Sequence, residues 1–319
     1  MRAAVLTNPK RFEIRTVDPP EPGRLQVRIR LEGCGVCASN VPVWEGRPWF
    51  QYPMEPGAPG HEGWGVIDAV GPDVQGLEPG DRVAALGCHA YSEFDVVAAG
   101  EVVRLPRDLQ GVPFPGEPLG CAMNVFRRSG IEAGQTVAIL GIGFLGALLV
   151  RLAKNAGARV LAISRRASAL STAREFGADE VYTLANPGDV VGPISRLTSE
   201  TGGCDRVIEA TGHQQPLDLA TELVRVRGRL VIAGYHQDGP RQVNMQQWNW
   251  RGIDVINAHE RDPATYIEGI RLAVKEIVSG RLDPTGLYTH KLPLQRIDEA
   301  LQLTAERPDG FLKALVMMN

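Results

Sequence analysis

Two rhythms of apolar residues divide the chain. Up to about residue 110 the apolar positions come in short runs, at 3–6, 12–16, 26–32, 65–70, 82–85 and 92–98, separated by Pro, Gly and Asp turns. Many short strands of this kind predict a barrel-like or sandwich unit. From about residue 121 strand-like runs alternate with helical spacing. Residues 137–140, 159–163, 180–183, 206–210, 229–234 and 252–257 read as six strands. Leu145, Leu148, Leu149 and Leu152 fall on one helical face, and 167–176, 189–199 and 216–226 read as further helices. Gly177 is a natural stop for the first of these, and Gly192-Pro193 is expected to delay the start of the second. Six strands with helices between most of them predict an α/β fold with a doubly wound parallel sheet. Residues 264–279 form an amphipathic helix with Ile267, Ile270, Val274 and Ile277 on one face, and the tail predicts a helix near 297–306 and a strand near 312–316. The expected domains are 1–120 together with 256–319, and 121–255.

The stretch from Thr136 to Arg166 organises the second half. Its first strand leads into Gly141-Ile142-Gly143-Phe144-Leu145-Gly146, which opens a helix and is followed by the next strand. A G-x-G-x-x-G alone is an ordinary glycine turn; between strand and helix it predicts a dinucleotide site. Gly141 permits the tight turn, Gly143 lets the backbone approach a pyrophosphate, and Gly146 lets the helix pack close to the sheet. Phe144 and Leu145 complete the motif and are counted with the cofactor-binding residues. An NAD site usually ends its second strand with an acid for the ribose 2′-hydroxyl. Here that place reads Ser164-Arg165-Arg166. An acid would repel a 2′-phosphate, whereas a serine and two arginines bind one through charge-assisted hydrogen bonds. The triplet favours NADP, with NAD the alternative, since arginines also simply solvate surface turns. Thr211 and Gly212, after the fourth strand, are expected to touch the cofactor, ahead of His213.

Composition narrows the class. With 319 residues, 44% hydrophobic and 22% charged, the chain can bury a normal core in one large or two medium domains. A net charge of −3 and the lack of any basic run give no sign of nucleic acid or an anionic membrane as partner. The longest apolar run, 137–150, is too short to span a bilayer and holds three glycines. The first residues lack the pattern of a secretory signal. Five cysteines, at 34, 37, 88, 121 and 204, suggest no disulfide framework, so reduced thiols and a cytoplasmic location are expected.

Two segments of the β-rich half look chemical: Gly33-Cys34-Gly35-Val36-Cys37-Ala38-Ser39-Asn40 and Gly60-His61-Glu62-Gly63-Trp64-Gly65. Cys, His and Glu are all zinc ligands, and a catalytic site needs three protein ligands and an open position. Spacing alone leaves open a buried structural thiol and a polar loop pair. Trp44, Trp49, Phe50 and Tyr52, with Arg47 among them, either line a substrate pocket or pack a loop.

With these segments the sequence resembles the zinc-dependent, alcohol dehydrogenase-type members of the medium-chain dehydrogenase/reductase superfamily. GCGVCASN, PGHEGWGVIDAVG, GDRVA, GEPLGCA and GIGFLG occur in family order, and PDGFLKALV fits the tail. The resemblance is closest to the polyol and sugar dehydrogenase branch, where Glu-Pro-Leu replaces the third ligand cysteine. It implies a GroES-like catalytic domain beside a Rossmann domain with a six-stranded sheet, and an active site in the cleft between them. It further implies Cys37 and His61 as zinc ligands, Glu62 as ligand or exchangeable neighbour, and Glu117 at the third-ligand position, direct or through water. Ser39 falls on the hydroxyl that relays the substrate proton, and Cys121 beside the nicotinamide. Three departures stand out. Asn40 replaces the usual Asp, the relay histidine expected soon after is absent from Val41-Pro42-Val43-Trp44, and the structural-zinc lobe is missing, leaving only Cys88 between Asp81 and Gly120. One catalytic zinc per chain is expected.

The implied reaction is hydride transfer between a secondary alcohol (polyol, sugar or cyclitol) and NADP or NAD, with the alcohol or its ketone as small-molecule partner. The family also implies a homodimer or homotetramer. Two alternatives remain at this level. One is a zinc-free reductase of activated double bonds, against which Cys37, His61 and Glu117 argue together. The other is a dinucleotide-binding sensor or structural protein without turnover.

Overall fold

The runs of the first half become β1 (Arg2–Asn8), β2 (Arg11–Thr16), β3 (Gln26–Gly35), α1 (Asn40–Glu45), β4 (Glu62–Val70), β5 (Arg82–Ala85), β6 (Phe94–Ala98) and β7 (Val102–Arg104), followed by α2 (Gly116–Ser129). The alternating half follows. Its elements are β8 (Thr136–Leu140), α3 (Phe144–Asn155), β9 (Arg159–Ser164), α4 (Ala167–Glu175), β10 (Glu180–Thr183), α5 (Gly188–Leu197), β11 (Cys204–Glu209), α6 (Gln214–Leu223), β12 (Val224–Ile232), α7 (Met245–Arg251) and β13 (Asp254–Asn257). The tail adds α8 (Pro263–Val278), β14 (His290–Pro293), α9 (Ile297–Glu306) and β15 (Ala314–Met317). The computed structural model describes residues 1–237 and 239–318. It divides into two units: Met1–Gly120 with the chain from Arg261 onward, and Cys121–Glu260.

The first unit is built around β3. A sheet of order β14-β15-β3-β4-β5-β7 carries β6 as an extra partner of β3. One edge of β3 pairs with β6 over residues 26–30 and with β15 over 33–35, so the tail completes what the N-terminal strands begin. Val27, Ile29 and Leu31 are buried while Arg30 is exposed, the period of two expected of a strand with one face on a core. Ile67, Val83 and Val97 join that core with Phe311 and Val316 from the tail.

The second unit is a parallel sheet of order β10-β9-β8-β11-β12-β13. Residues Val137–Leu140 of β8 are all at most 1% exposed, because helices cover both faces of a parallel sheet. The chain steps outward from β8 to β10, then returns beside β8 with β11. The strand order therefore reverses between β8 and β11, and ligands of such sheets bind beyond the strand ends at that reversal.

Three expectations change. Helix α5 is not delayed by Gly192-Pro193; it starts at Gly188 and runs through Pro193. The Asp189 carboxylate accepts from the Asn186 amide at 3.1 Å, and Val190 and Ile194 are buried, which outweighs the one backbone hydrogen bond that proline removes. Helix α6 ends at Leu223 rather than 226, because Val224 already pairs with Cys204 in the sheet. The chain bulges at Arg227, with φ at +56°, and re-pairs at Arg229, so β12 begins earlier than residue 229. The short helices α1 and α7, the long α2, and strands β7 and β14 carry too little periodicity to be read in advance. Among the described residues no helix is long and apolar enough to cross a membrane.

Candidate metal centre and dinucleotide site

The pairing of β3 with β4 assembles the metal centre. Gly35 stands opposite Glu62 and Cys34 opposite Gly63, which sets Cys37, two residues beyond β3, beside His61, one residue before β4. One ligand atom from each of Cys37, His61 and Glu62 lies within 4.8 Å of the others. Gly35 is required by this arrangement, since a Cβ there would meet Glu62 Oε2 at 1.8 Å. The two chemical segments thus explain each other: the glycine of one makes room for the carboxylate of the other.

His61 Nδ1 lies 3.0 Å from the carbonyl of Pro59. A carbonyl only accepts, so Nδ1 carries the proton and Nε2 keeps a lone pair for a metal. Asn40 Nδ2 donates to the same carbonyl at 2.7 Å. This accounts for the amide at a place where an acid is usual. An aspartate would repel the Pro59 oxygen, whereas the amide fixes the acceptor that fixes His61. Asn40 is buried, and its Oδ1 has no hydrogen-bond partner. Ser39 Oγ donates to Cys37 Sγ at 3.1 Å.

Glu62 is fully buried against a lysine that sequence reasoning missed. Lys313 Nζ stands 2.6 Å from its Oε1 and 3.1 Å from the Val36 carbonyl. Burial works against the Lys313 ammonium, but Glu62, Cys37 and Glu117 more than offset it and raise its pKa. The signal was a single lysine in the apolar tail run Phe311-Leu312-Lys313-Ala314-Leu315. Strand β15 places it here by pairing Leu315 with Gly35.

Glu117, at the start of α2, lies outside the three-residue cluster but inside its field. Burial disfavours a charged His61, yet Cys37, Glu117 and Glu62 outweigh burial and hold its pKa well above the usual imidazole value. A centre this anionic favours a cation. Its donors are a thiol, an imidazole nitrogen and the buried Glu62 carboxylate, whose two oxygens both stand 2.6 Å from Lys313 Nζ. That set fits zinc.

In the second unit the glycine turn has the geometry its spacing implies. Gly141 has φ +96°, and a Cβ there would meet the Thr211 methyl at 2.5 Å. A Cβ on Gly146 would stand 2.1 Å from the Gly141 carbonyl, whereas one on Gly143 would meet nothing within 4 Å. The open side of Gly143 lies at the N-terminus of α3, and helix N-termini suit a phosphate. Phe144 is buried and Leu145 half-buried. Ser164 ends β9, and its Oγ accepts from the Arg166 amide at 3.3 Å. The Arg166 guanidinium reaches back to the Ile142 carbonyl at 3.3 Å, over the glycine turn, while Arg165 is exposed. The amides of Thr211 and Gly212 donate to Glu209 Oε1 at 2.7 and 3.0 Å. Cys121 is half-buried in α2.

The aromatic segment divides. Trp44 is only 6% exposed and donates to Asp298 at 2.8 Å, and the Tyr52 hydroxyl donates to the Val43 carbonyl, so both serve packing rather than a pocket. Trp49 is exposed, with the Phe50 ring 5.9 Å away. His259 stacks on Tyr235 with ring centres 5.5 Å apart.

Known proteins share this organisation. The alcohol dehydrogenase GroES-like domain family matches residues 23–107, and the zinc-binding dehydrogenase family matches residues 145–275. An alcohol dehydrogenase of Geobacillus stearothermophilus is 30% identical over 73% of this chain and 77% of its own length. The sorbitol dehydrogenase of Gallus gallus is 28% identical over 94% of this chain and 91% of its own. A protein of Sinorhizobium meliloti 1021, described as a zinc-binding dehydrogenase and solved with NADP, superposes with a TM-score of 0.84 at 27% identity, covering 99% of this chain and 98% of that one. The chain belongs to the zinc-type alcohol and polyol dehydrogenases of the medium-chain dehydrogenase/reductase family.

Proposed function

We propose that this enzyme uses one zinc, held by Cys37, His61 and Glu62 with Glu117 beside them, to oxidise a secondary alcohol of the polyol, sugar or cyclitol class. NADP⁺ is the preferred hydride acceptor and the ketone is the product. The observation that carries this reading is the set of three donors within 4.8 Å of one another. Zinc bound there supplies Lewis acidity to the substrate hydroxyl. Around it the chain's own groups have separate tasks. Pro59 and Asn40 hold His61 in the tautomer that presents Nε2. Lys313 balances Glu62. Ser39 swings its hydroxyl from the Cys37 sulfur to the substrate, accepting the substrate proton as it passes its own to water. The turn at Gly143 and the start of α3 seat the pyrophosphate, and Ser164, Arg165 and Arg166 receive the 2′-phosphate. Arg166 supports NADP over NAD because its guanidinium already lies over the glycine turn. Strand β13, at the edge of its sheet, supports a homodimer or homotetramer.

The test is absorbance at the nicotinamide band with zinc-loaded protein, a panel of polyols, cyclitols, sugars and simple alcohols, and NADP⁺ or NAD⁺. Turnover confined to one alcohol class, faster with NADP⁺, is the expected result. Silence across the panel from a protein that holds zinc and binds dinucleotide would overturn the polyol reading.

A further inference from the structure

Strands β8, β11 and β12 lie side by side, and the loops beyond their ends interlock. Glu209, the last residue of β11, is fully buried. Its Oε1 accepts from the Thr211 amide and hydroxyl and from the Gly212 amide. Its backbone carbonyl accepts from Ala233 and Gly234, each at 2.8 Å. The other carboxylate oxygen, Oε2, is met by His236 Nε2 at 3.0 Å. His236 Nδ1 in turn accepts from Arg241 Nε at 3.0 Å, and Arg241 Nη2 closes the ring on the Gly212 carbonyl at 3.0 Å. A guanidinium only donates and a carboxylate only accepts. Between them His236 is a neutral imidazole with its proton on Nε2.

The joints leave no room for slack. A Cβ on Gly234 would stand 2.2 Å from the Gly212 nitrogen, one on Gly212 2.5 Å from the Tyr235 carbonyl, and one on Gly141 2.5 Å from Thr211. Gln214 and Gln242 add a second tie, exchanging two hydrogen bonds at 2.8 and 3.0 Å. The order from Gly141 through Thr211 and Gly212 to His236 and Arg241 is therefore one chain of contacts across three strand ends. A buried carboxylate oxygen without a partner is costly, so the imidazole sets where Glu209, and with it the Thr211–Gly212 turn, comes to rest.

We infer that His236 is a positioning residue for the half of the dinucleotide that lies beyond the pyrophosphate, acting through Glu209 on the Thr211–Gly212 turn. The inference rests on the dinucleotide reading above. In the sheet, β9 with Ser164 and Arg166 lies on one side of β8, whereas β11 and β12 lie on the other. A dinucleotide whose pyrophosphate sits at the β8 turn places its adenosine toward β9 and its other half toward β11 and β12. His236 thus governs one half of the ligand and not the other.

That asymmetry supplies the test. His236→Phe keeps the ring's bulk and loses both polar ends, while His236→Gln keeps one donor and one acceptor. Binding of NADPH and of its adenosine half alone, 2′,5′-ADP, is measured by nucleotide fluorescence and calorimetry on the full chain, with NADH and AMP as the parallel pair. H236F weakens NADPH about tenfold or more, leaves 2′,5′-ADP within about twofold, and H236Q restores NADPH to within about threefold. Should H236F not fold, Arg241→Met carries the same expectation, because it frees both His236 and the Gly212 carbonyl. Unchanged NADPH binding in the folded variant overturns the inference. So does an equal loss of both ligands, which marks a general structural role. A parent protein that binds neither NADPH nor NADH overturns the dinucleotide reading itself, and the inference with it.

Discussion

Two single residues decide whether the metal centre works. Ser39 donates a hydrogen bond to the Cys37 sulfur at 3.1 Å, and the same hydroxyl is the group proposed above to relay the substrate proton. Ser39→Ala is expected to lower kcat by about a hundredfold with zinc content unchanged, checked by steady-state kinetics and metal analysis on one preparation. Lys313 is the counterweight of Glu62. Lys313→Met leaves a carboxylate buried beside other negative groups, and breaking a buried pair in this way costs about 3–5 kcal/mol. Denaturant unfolding of the metal-free variant would show that loss, and saturating zinc should recover part of it, because the metal replaces the missing positive charge. Neither role could be read from spacing. Cys37 and His61 announce themselves as ligand types, but nothing around Lys313 in the sequence says that its neighbour will be a glutamate 251 positions earlier.

Among elements, the strand–turn–helix at β8 and α3 was legible because three glycines each have a distinct local task. The structure assigns different consequences to two of them. Gly143→Ala meets open space, so stability should change by no more than about 0.5 kcal/mol while dinucleotide affinity falls, since the methyl occupies the approach to the pyrophosphate. Gly146→Ala drives a methyl to 2.1 Å from the Gly141 carbonyl, so it should lower Tm and affinity together. Thermal unfolding and ligand titration of the pair separate the two cases. Where local pattern misled, a tertiary partner was the cause. Val224 and Val226 continue a helical apolar spacing from 216, yet Val224 is claimed by Cys204 across the sheet. Proline at 193 argued for a late helix start, yet two buried side chains carried the helix through it. Helix α1, which holds Asn40, was hidden because six residues give no periodicity to read.

At the scale of the whole molecule, the first unit concentrates negative charge and the chemistry follows from how that charge is neutralised. His61 is held well above its ordinary pKa, so in the metal-free protein a proton on its ring helps to stabilise the fold. The sign is fixed by that shift. The contribution is complete below the unfolded pKa of about 6.5 and disappears as pH rises through the higher folded value. Zinc competes with the same proton. Its apparent affinity should fall as pH drops through that folded value, and binding should release protons. Calorimetry in buffers of different ionisation enthalpy checks both. Stripping the zinc with a chelator should lower Tm, and more so at alkaline pH, where no proton stands in for it. The unit itself is discontinuous in sequence: β3 and β4 come from before the dinucleotide-binding unit, and β15 with Lys313 from after it. During synthesis Cys37, His61 and Glu62 therefore emerge long before their counter-charge. While the second unit is being translated, the half-built centre is a nest of acids and a thiol lacking both its strand partner and its lysine. A chain released early would carry Cys37, His61 and Glu62 without the lysine that balances Glu62.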